Sequence, residues 1–343
     1  MKPVRSILGL LAVLPMLWVG ACSPDPELSE STEAAFRIPA HFPAPIYDFK
    51  GNAPTEARVA LGRRLFFERD LSRDGTVSCA DCHRQYGGFS DPYHNLSHGV
   101  DNLLGTRNSP SLSNLAWYPH FMWDGGAVHI ETMSIAPITN PVEMDETLWR
   151  LVHKLNHQPE YRAAVRAAYG EDTLNDQRML QALAQFMSVL ISDQSPYDQY
   201  LKGNQEALSV DQQAGLALFR RDCASCHAEP LTSNFSFQRN GLPGAITDEG
   251  RRIISLRHED LGRFKVPNLR NVALSPPYMH DGRMDDLTEV IEHYSEGIGS
   301  EADAPLPAGG FRYTAQEKHE LIEFLNALTD EAFVENPLFT DPN

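Results

Sequence analysis

The chain has 343 residues, enough for two ordinary domains. Hydrophobic residues make up 42% and charged residues 22%, a globular balance that excludes a disordered or collagen-like chain. Lys and Arg number 29 against 46 Asp and Glu, and the net charge of −17 excludes a nucleic-acid binder and favours basic partners.

Taken in chain order, the first element is an address. Lys2 and Arg5 precede an apolar run from Ile7 to Val19. That run is shorter than the ~20 residues of a membrane-spanning helix but suits a secretory signal. It closes on Val19-Gly20-Ala21-Cys22, which resembles the lipobox of bacterial lipoproteins. Residues 1–22 are then a signal peptide, and a lipidated Cys22 is the first mature residue. An ordinary signal peptide with a chance cysteine is the plainer alternative. Ser23 after the cysteine implies the outer membrane, so the expected location is the periplasm, with membrane contact only through the lipid. Residues 23–50 start polar, acidic and proline-containing, as expected of a tether.

The other four cysteines lie in Cys79-Ala-Asp-Cys82-His83 and Cys223-Ala-Ser-Cys226-His227. Cys-x-x-Cys-His is the attachment pattern of a c-type haem. The two thiols bond the vinyl groups and the adjacent His becomes the proximal iron ligand. A zinc site would need both copies to converge on one ion, and a redox dithiol needs no His after the second Cys. Two complete copies behind an export signal point to two covalently bound haems c.

The surroundings of the two motifs match as well. Leu61-Gly62-Arg63-Arg64-Leu65-Phe66 parallels Ala214-Gly215-Leu216-Ala217-Leu218-Phe219, each read as an amphipathic helix entering its motif. Pro110 to Asn114 parallels Pro267 to Asn271, and ten residues after each Asn comes Asp-Gly. Each half closes on an amphipathic helical pattern, Arg178 to Ile191 and Ala315 to Leu328. The expected architecture is mostly α, with two tandem cytochrome c-type haem domains from an internal duplication, residues 51–205 and 206–343. In this register Tyr294 lies thirteen residues past Asp281, and Pro137 thirteen past Asp124. A tyrosine can ligate iron and a proline cannot, so one haem would be closed and the other open to a small oxidant. His293, Met279 and Met284 are alternative donors near Tyr294.

The chain resembles the bacterial di-haem cytochrome c peroxidase and MauG superfamily over roughly residues 55 to 330. The resemblance rests on both haem motifs and on Arg107-Asn108-Ser109-Pro110, Phe121-Met122-Trp123-Asp124-Gly125 and Asn140-Pro141-Val142-Glu143-Met144. Val266 to Asn271 and Pro277-Tyr278-Met279-His280-Asp281-Gly282 complete it. It implies that His83 serves the N-terminal, peroxide-reacting haem and His227 the C-terminal, electron-transfer haem. It further implies Trp123 as a relay between them and Glu143 as the distal acid–base group beside Pro137. Asn108 and the carbonyls of Ser275 and Pro277 would bind one calcium ion, a hard cation suited to oxygen ligands. His98 lies near the place where the peroxidase branch keeps a removable iron ligand, a possible gate, with His94 as its substitute.

Two departures matter. The peroxidase branch usually has Met where Tyr294 stands, whereas the MauG branch has Tyr. A phenolate favours ferric iron and a thioether ferrous iron, so a low potential is expected at the second haem. Met133 replaces a frequent Gln and Gly126 a usual Arg, which alters the distal pocket. Each residue also has a plainer reading: Glu143 as a helix-start carboxylate, Trp123 and Tyr294 as core, His98 as a solvated loop residue. The remaining histidines read as surface residues.

The leading expectation is an oxidoreductase of the cytochrome c peroxidase type. It would reduce hydrogen peroxide to water with electrons from a small periplasmic donor, a cytochrome c or a cupredoxin. The alternative is a MauG-like oxidase that uses peroxide to oxidise a protein substrate through a high-valent, Tyr-ligated haem pair. A third is a plain two-haem electron carrier. A homodimer is compatible with all three.

Overall fold

The computed structural model describes residues 36–342; the expected signal peptide, Cys22 and the first part of the expected tether lie outside the described residues. The architecture is mostly helical, and its sheet is a two-stranded antiparallel ladder, Phe237–Gln238 against Phe264–Lys265, with Phe237 opposite Lys265. No helix among the described residues is long and apolar enough to cross a membrane.

Two helix crossings carry the molecule. The helix Glu56–Phe67 starts at Thr55, whose side chain accepts from Arg58 N, and buries Leu61, Leu65 and Phe66. It crosses Asp176–Ser188 so closely that a Cβ at Gly62 would stand 1.9 Å from the Ala182 carbonyl oxygen. The second crossing repeats this. Val210–Asp222 and Ala315–Asn326 each begin with a capping box, Ser209 with Gln212 and Thr314 with Glu317. A Cβ at Gly215 would lie 1.9 Å from the Glu320 carbonyl oxygen. Only glycine allows either approach.

Other devices repeat at matched positions. Asn114 and Asn271 adopt left-handed backbone (φ 60° and 61°), and their N–H groups donate to the carbonyls of Leu190 and Leu328. The short bridges Phe121–Ala127 and Tyr278–Met284 likewise correspond, each enclosing a left-handed Met, Met122 or Met279.

Two apolar cores result, and they do not divide cleanly along the chain. Tyr197, with Tyr200 and Leu201 packed on it, already belongs to the second core. Leu231, Phe235, Phe333 and Phe339 return to the first. The boundary expected at 205/206 therefore falls inside a region committed to the second core, and the C-terminal tail clasps the first half. Polar ties also cross between the halves: Arg107 bridges Asp124 (2.5 Å) and Asp248 (2.7 Å), and Asn268 donates to the Tyr118 hydroxyl (2.7 Å).

Three sequence expectations need correction. The tether does not extend to residue 50. Phe42 and Tyr47 are buried, Trp117 donates to the Pro43 carbonyl (2.8 Å), and Arg37 pairs with Asp193, so apolar anchors fix this segment. The helix Asp176–Ser188 is not amphipathic beyond its first turn but buried all round from Met179 to Ser188. The Asn52 loop covers its outer side, with Gln185 donating to the Asn52 carbonyl and Asn52 to that of Gln181 (3.2 Å). The remaining histidines are not all on the surface, since the side chains of His41 and His280 are only 11% and 12% exposed.

Candidate functional site

The second Cys-x-x-Cys-His segment follows directly on the core helix Val210–Asp222, whereas Cys79–Cys82 forms its own short helical turn beyond a loop that follows Glu56–Phe67, and the same contact orients both histidines. His83 Nδ1 donates to the Phe89 carbonyl (2.9 Å) and His227 Nδ1 to the Thr232 carbonyl (3.1 Å). This fixes the tautomer and leaves each Nε2 free to ligate. The carbonyls of Pro110 and Pro267 stand in hydrogen-bonding position to the same rings. Burial lowers both pKa values, that of His227 to about 4, so both rings are neutral at pH 7 as iron ligation requires. The four cysteines are free thiols of intermediate exposure, and burial pushes Cys79, Cys82 and Cys223 up to about 12.

Cys223, Cys226, His227 and Tyr294 line one cavity with Trp123 and Met279. It encloses about 1590 Å³ of space free of protein atoms, part of it open to solvent. A cavity of that size, two thiols at its wall and a neutral imidazole with a free Nε2 fit a covalently bound haem. Zinc does not fit, because no cluster of three or more His, Cys, Asp or Glu with metal-binding geometry exists among the described residues.

Tyr294 reaches this cavity because the helix changes pitch. Leu287–Glu292 is α-helical, and His293–Gly297 is a π-helical turn, a device frequent at functional sites. The Tyr294 side chain lies near Cys223 and Cys226, and burial raises its pKa to about 12. His293 turns the other way, and its Nε2 meets the Asn240 carbonyl at 3.0 Å. Of the alternative donors, Met279 lines the cavity, with its sulfur accepting from Asn240 Nδ2 (3.3 Å). In the first half the corresponding stretch is also interrupted, at Ser134, between the helices Ile130–Met133 and Ile135–Thr139, with Pro137 in the second of them.

Glu143 follows that helix. Burial raises its carboxyl pKa, partly offset by Asn140 Nδ2, which donates to Oε1 at 2.6 Å. Its charge acts on the Cys82 thiol and raises that group, so the two side chains lie within electrostatic range of each other. His98 is exposed, on a turn bridged to Leu104, with its ring 5.8 Å from that of His94. The next residues touch Glu143 directly: Val100 N donates to the Glu143 carbonyl (2.8 Å), and a Cβ at Gly99 would lie 2.6 Å from Glu143 Cα.

Trp123 lies between the halves, its Nε1 donating to the Asn108 carbonyl (2.8 Å) and its own carbonyl accepting from Lys265 N (2.7 Å). Phe264 packs edge-on to Trp123 (6.5 Å) and stacks on His280 (3.8 Å). Asn108, Ser275 and Pro277 all line the cavity. Asn108 Nδ2 donates to the carbonyls of His94 and Asn95 (both 3.2 Å). Among the described residues no hydrogen bond reaches the carbonyls of Ser275 or Pro277, so these oxygens fit a hard cation. Sequence reasoning missed Phe264, His280, Asn240 and Lys265. The alignment of Phe-Met-Trp-Asp-Gly with Tyr-Met-His-Asp-Gly pairs Trp123 with His280 and could have found one of them.

Two haem-attachment stations on a helical frame, each with an oriented neutral histidine, define the chain as a di-haem c-type cytochrome. The comparisons with known proteins agree. The family model for di-haem cytochrome c peroxidases matches residues 56–206. The methylamine utilization protein MauG of Methylorubrum extorquens is 34% identical over 314 residues, covering 87% of this chain and 84% of that protein. The cytochrome c peroxidase Ccp of Escherichia coli is 34% identical over 264 residues, covering 74% of this chain and 56% of its own length. A crystal structure described as a MauG-like protein associated with microbial copper homeostasis superposes with a TM-score of 0.79 at 31% identity, over 89% of this chain and 98% of that one. The chain belongs to the di-haem cytochrome c peroxidase and MauG family, and it is an oxidoreductase carrying two haems c.

Proposed function

We propose that the chain reduces hydrogen peroxide to water at the His83 station, with electrons entering through the His227 station from a small periplasmic donor protein. The observation that carries this reading is the asymmetry between the halves. Tyr294 offers an oxygen donor to the cavity of the second station, whereas Pro137 at the matching position has none and is followed by Glu143. That asymmetry, the repeated helix crossings and the paired Asn turns support an internal duplication in which one copy keeps a free iron face.

Bound haem supplies the iron at which peroxide is cleaved and the route by which electrons reach it. The chain's part is proton handling and positioning. Peroxide cleavage needs one group to take a proton from the near oxygen and return it to the leaving one. Glu143 suits this: Asn140 holds Oε1, and Oε2 is left to carry the proton. Burial raises its pKa above the ordinary carboxylate value, which makes the carboxylate a stronger acceptor for that proton. Trp123, hydrogen-bonded to the Asn108 carbonyl and packed on Phe264, suits a relay between the stations. Asn108 and the carbonyls of Ser275 and Pro277 would hold a calcium ion where the halves meet. His98 would act as a gate only by moving its exposed loop, which shares backbone contacts with Glu143. The −17 net charge supports a donor with a basic docking patch. The signal sequence supports export and anchoring through Cys22.

A second reading has its own support. Tyr294 beside the second station's thiols favours oxidised iron there. A pair held oxidised would withdraw electrons from a protein substrate after peroxide addition, as a MauG-like oxidase does. Steady-state peroxide consumption with a reduced small donor protein separates the two. Turnover that stops in Glu143→Gln at full haem content supports the first reading. Absence of turnover in the wild type with every donor, alongside peroxide-driven oxidation of a protein, supports the second.

A further inference from the structure

Lys265 is a buried cation without an anion. It stands in the short strand Phe264–Lys265, tied to the first half by its N–H to the Trp123 carbonyl (2.7 Å). Only 6% of the residue is exposed, and its Nζ lies 4.8 Å over the Tyr118 ring. It lines the cavity that holds Cys223, Cys226 and His227. Among the described residues no carboxylate or carbonyl pairs with its ammonium, and burial alone acts on it, bringing its pKa down to about 8.

Its neighbours add positive charge. Phe237, opposite Lys265 in the ladder, carries Arg251 over its ring at 4.3 Å, and the Arg251 guanidinium donates to the carbonyls of Asp124 and Gly125 but to no carboxylate. His120 packs on the same ring (5.5 Å), its Nδ1 buried without a partner, and both Lys265 and Arg251 disfavour its protonation. An unpaired buried charge is destabilising. The chain has 46 acidic residues from which a partner could come, yet none is present here. A cation kept bare at a cavity wall is matched by an anion that arrives with the cavity's occupant.

We propose that Lys265 is the counter-cation for a propionate carboxylate of the haem attached at Cys223 and Cys226, and thereby holds up that haem's reduction potential. The inference rests on haem attachment at this station, not on the identity of the electron donor or substrate. A positive charge beside a haem disfavours the ferric form, so its removal lowers the potential. The pairing also places Lys265 between that haem and Trp123, through its own backbone.

The test compares Lys265→Met and Lys265→Arg with the wild type, each with both haems confirmed by pyridine haemochrome. Midpoint potentials are measured by spectroelectrochemistry without peroxide or donor. Lys265→Met is expected to shift the reduction equilibrium of the Tyr294-side haem at least tenfold towards the ferric form, about 59 mV for one electron, with a smaller shift at the His83 haem. Lys265→Arg is expected to stay within twofold of wild type. Full haem content with neither potential moved, or only that of the His83 haem, overturns the proposal. If Lys265→Met is recovered without its second haem, resonance Raman of the propionate bending bands decides between wild type and Lys265→Arg. A shifted band at the second haem supports the pairing and superimposable bands refute it. A protein that never turned over peroxide would sink the functional reading and leave this result standing.

Discussion

Replacing Arg270 by Met should destabilise the protein more than any surface change, and should do so beside the second haem station. Arg270 and Asp198 are both fully buried, paired through Nη1–Oδ2 (2.7 Å) and Nη2–Oδ1 (2.8 Å), and Nη2 also donates to the Pro230 carbonyl (2.7 Å). Phe42, from the N-terminal segment, covers the guanidinium at 4.8 Å. Removing the arginine leaves Asp198 buried with only Ser195 and His41 as partners. Breaking a buried pair from one side costs about 3–5 kcal/mol. At roughly 1.5 °C per kcal/mol for a chain of this size, Tm should fall by about 4–8 °C. The neighbouring residue links this to function. Leu269 N donates to Thr232 Oγ1 (2.9 Å), and the Thr232 carbonyl orients His227. The pH dependence has a defined sign. Burial pushes the Asp198 pKa up, but Arg270 outweighs it and the net shift is downward. The pair's stabilisation is therefore complete above the unfolded carboxylate value of about 3.9 and is lost only as pH falls through the lower folded value. Thermal and urea unfolding of Arg270→Met against wild type at pH 7 provides the assay. A loss below about 1 kcal/mol with the haem spectrum intact would refute the reasoning.

Glu143→Gln should lower kcat/KM for peroxide by about 10²–10⁴ at full haem content. The wild type should lose activity as pH falls through the raised Glu143 pKa, because the carboxylate must be ionised to accept a proton, and a Gln variant with the same acid limb would contradict this. Tyr294→Met should raise the potential of the second haem, since a thioether favours ferrous iron, and an unchanged potential would argue that Tyr294 is not a ligand. Gly215→Ala forces a Cβ against the Glu320 carbonyl oxygen and should cost about 1–3 kcal/mol in unfolding experiments, whereas a neutral result would mean the two helices separate freely.

What could be read from the sequence was what acts over short range. Cys79-x-x-Cys82-His83 and its partner declare themselves because five neighbouring residues carry the whole signal. The glycine in each helix entering them was visible too, although its reason, a backbone 1.9 Å from a would-be Cβ, was not. Tyr294 was chosen over His293 by register alone. The π-helical turn that sends one into the cavity and the other to the Asn240 carbonyl has no local signature. The anchoring of residues 36–50 escaped because the partners of the two anchors, Phe42 and Tyr47, lie far along the chain. Lys265 and Arg270 look alike as isolated basic residues in a loop-rich stretch. Only packing shows that one has its carboxylate and the other has none.

The most direct test of the central claim is stopped-flow mixing of the purified di-haem protein with one equivalent of peroxide, starting once from the fully oxidised and once from the half-reduced state. The account predicts a rapid spectral change at the His83 haem in the wild type and none in Glu143→Gln with both haems present. Reaction only after half-reduction supports the peroxidase, and reaction of the fully oxidised protein supports the oxidase reading. A wild type inert in both states, or a Glu143→Gln variant as fast as wild type, would contradict the account.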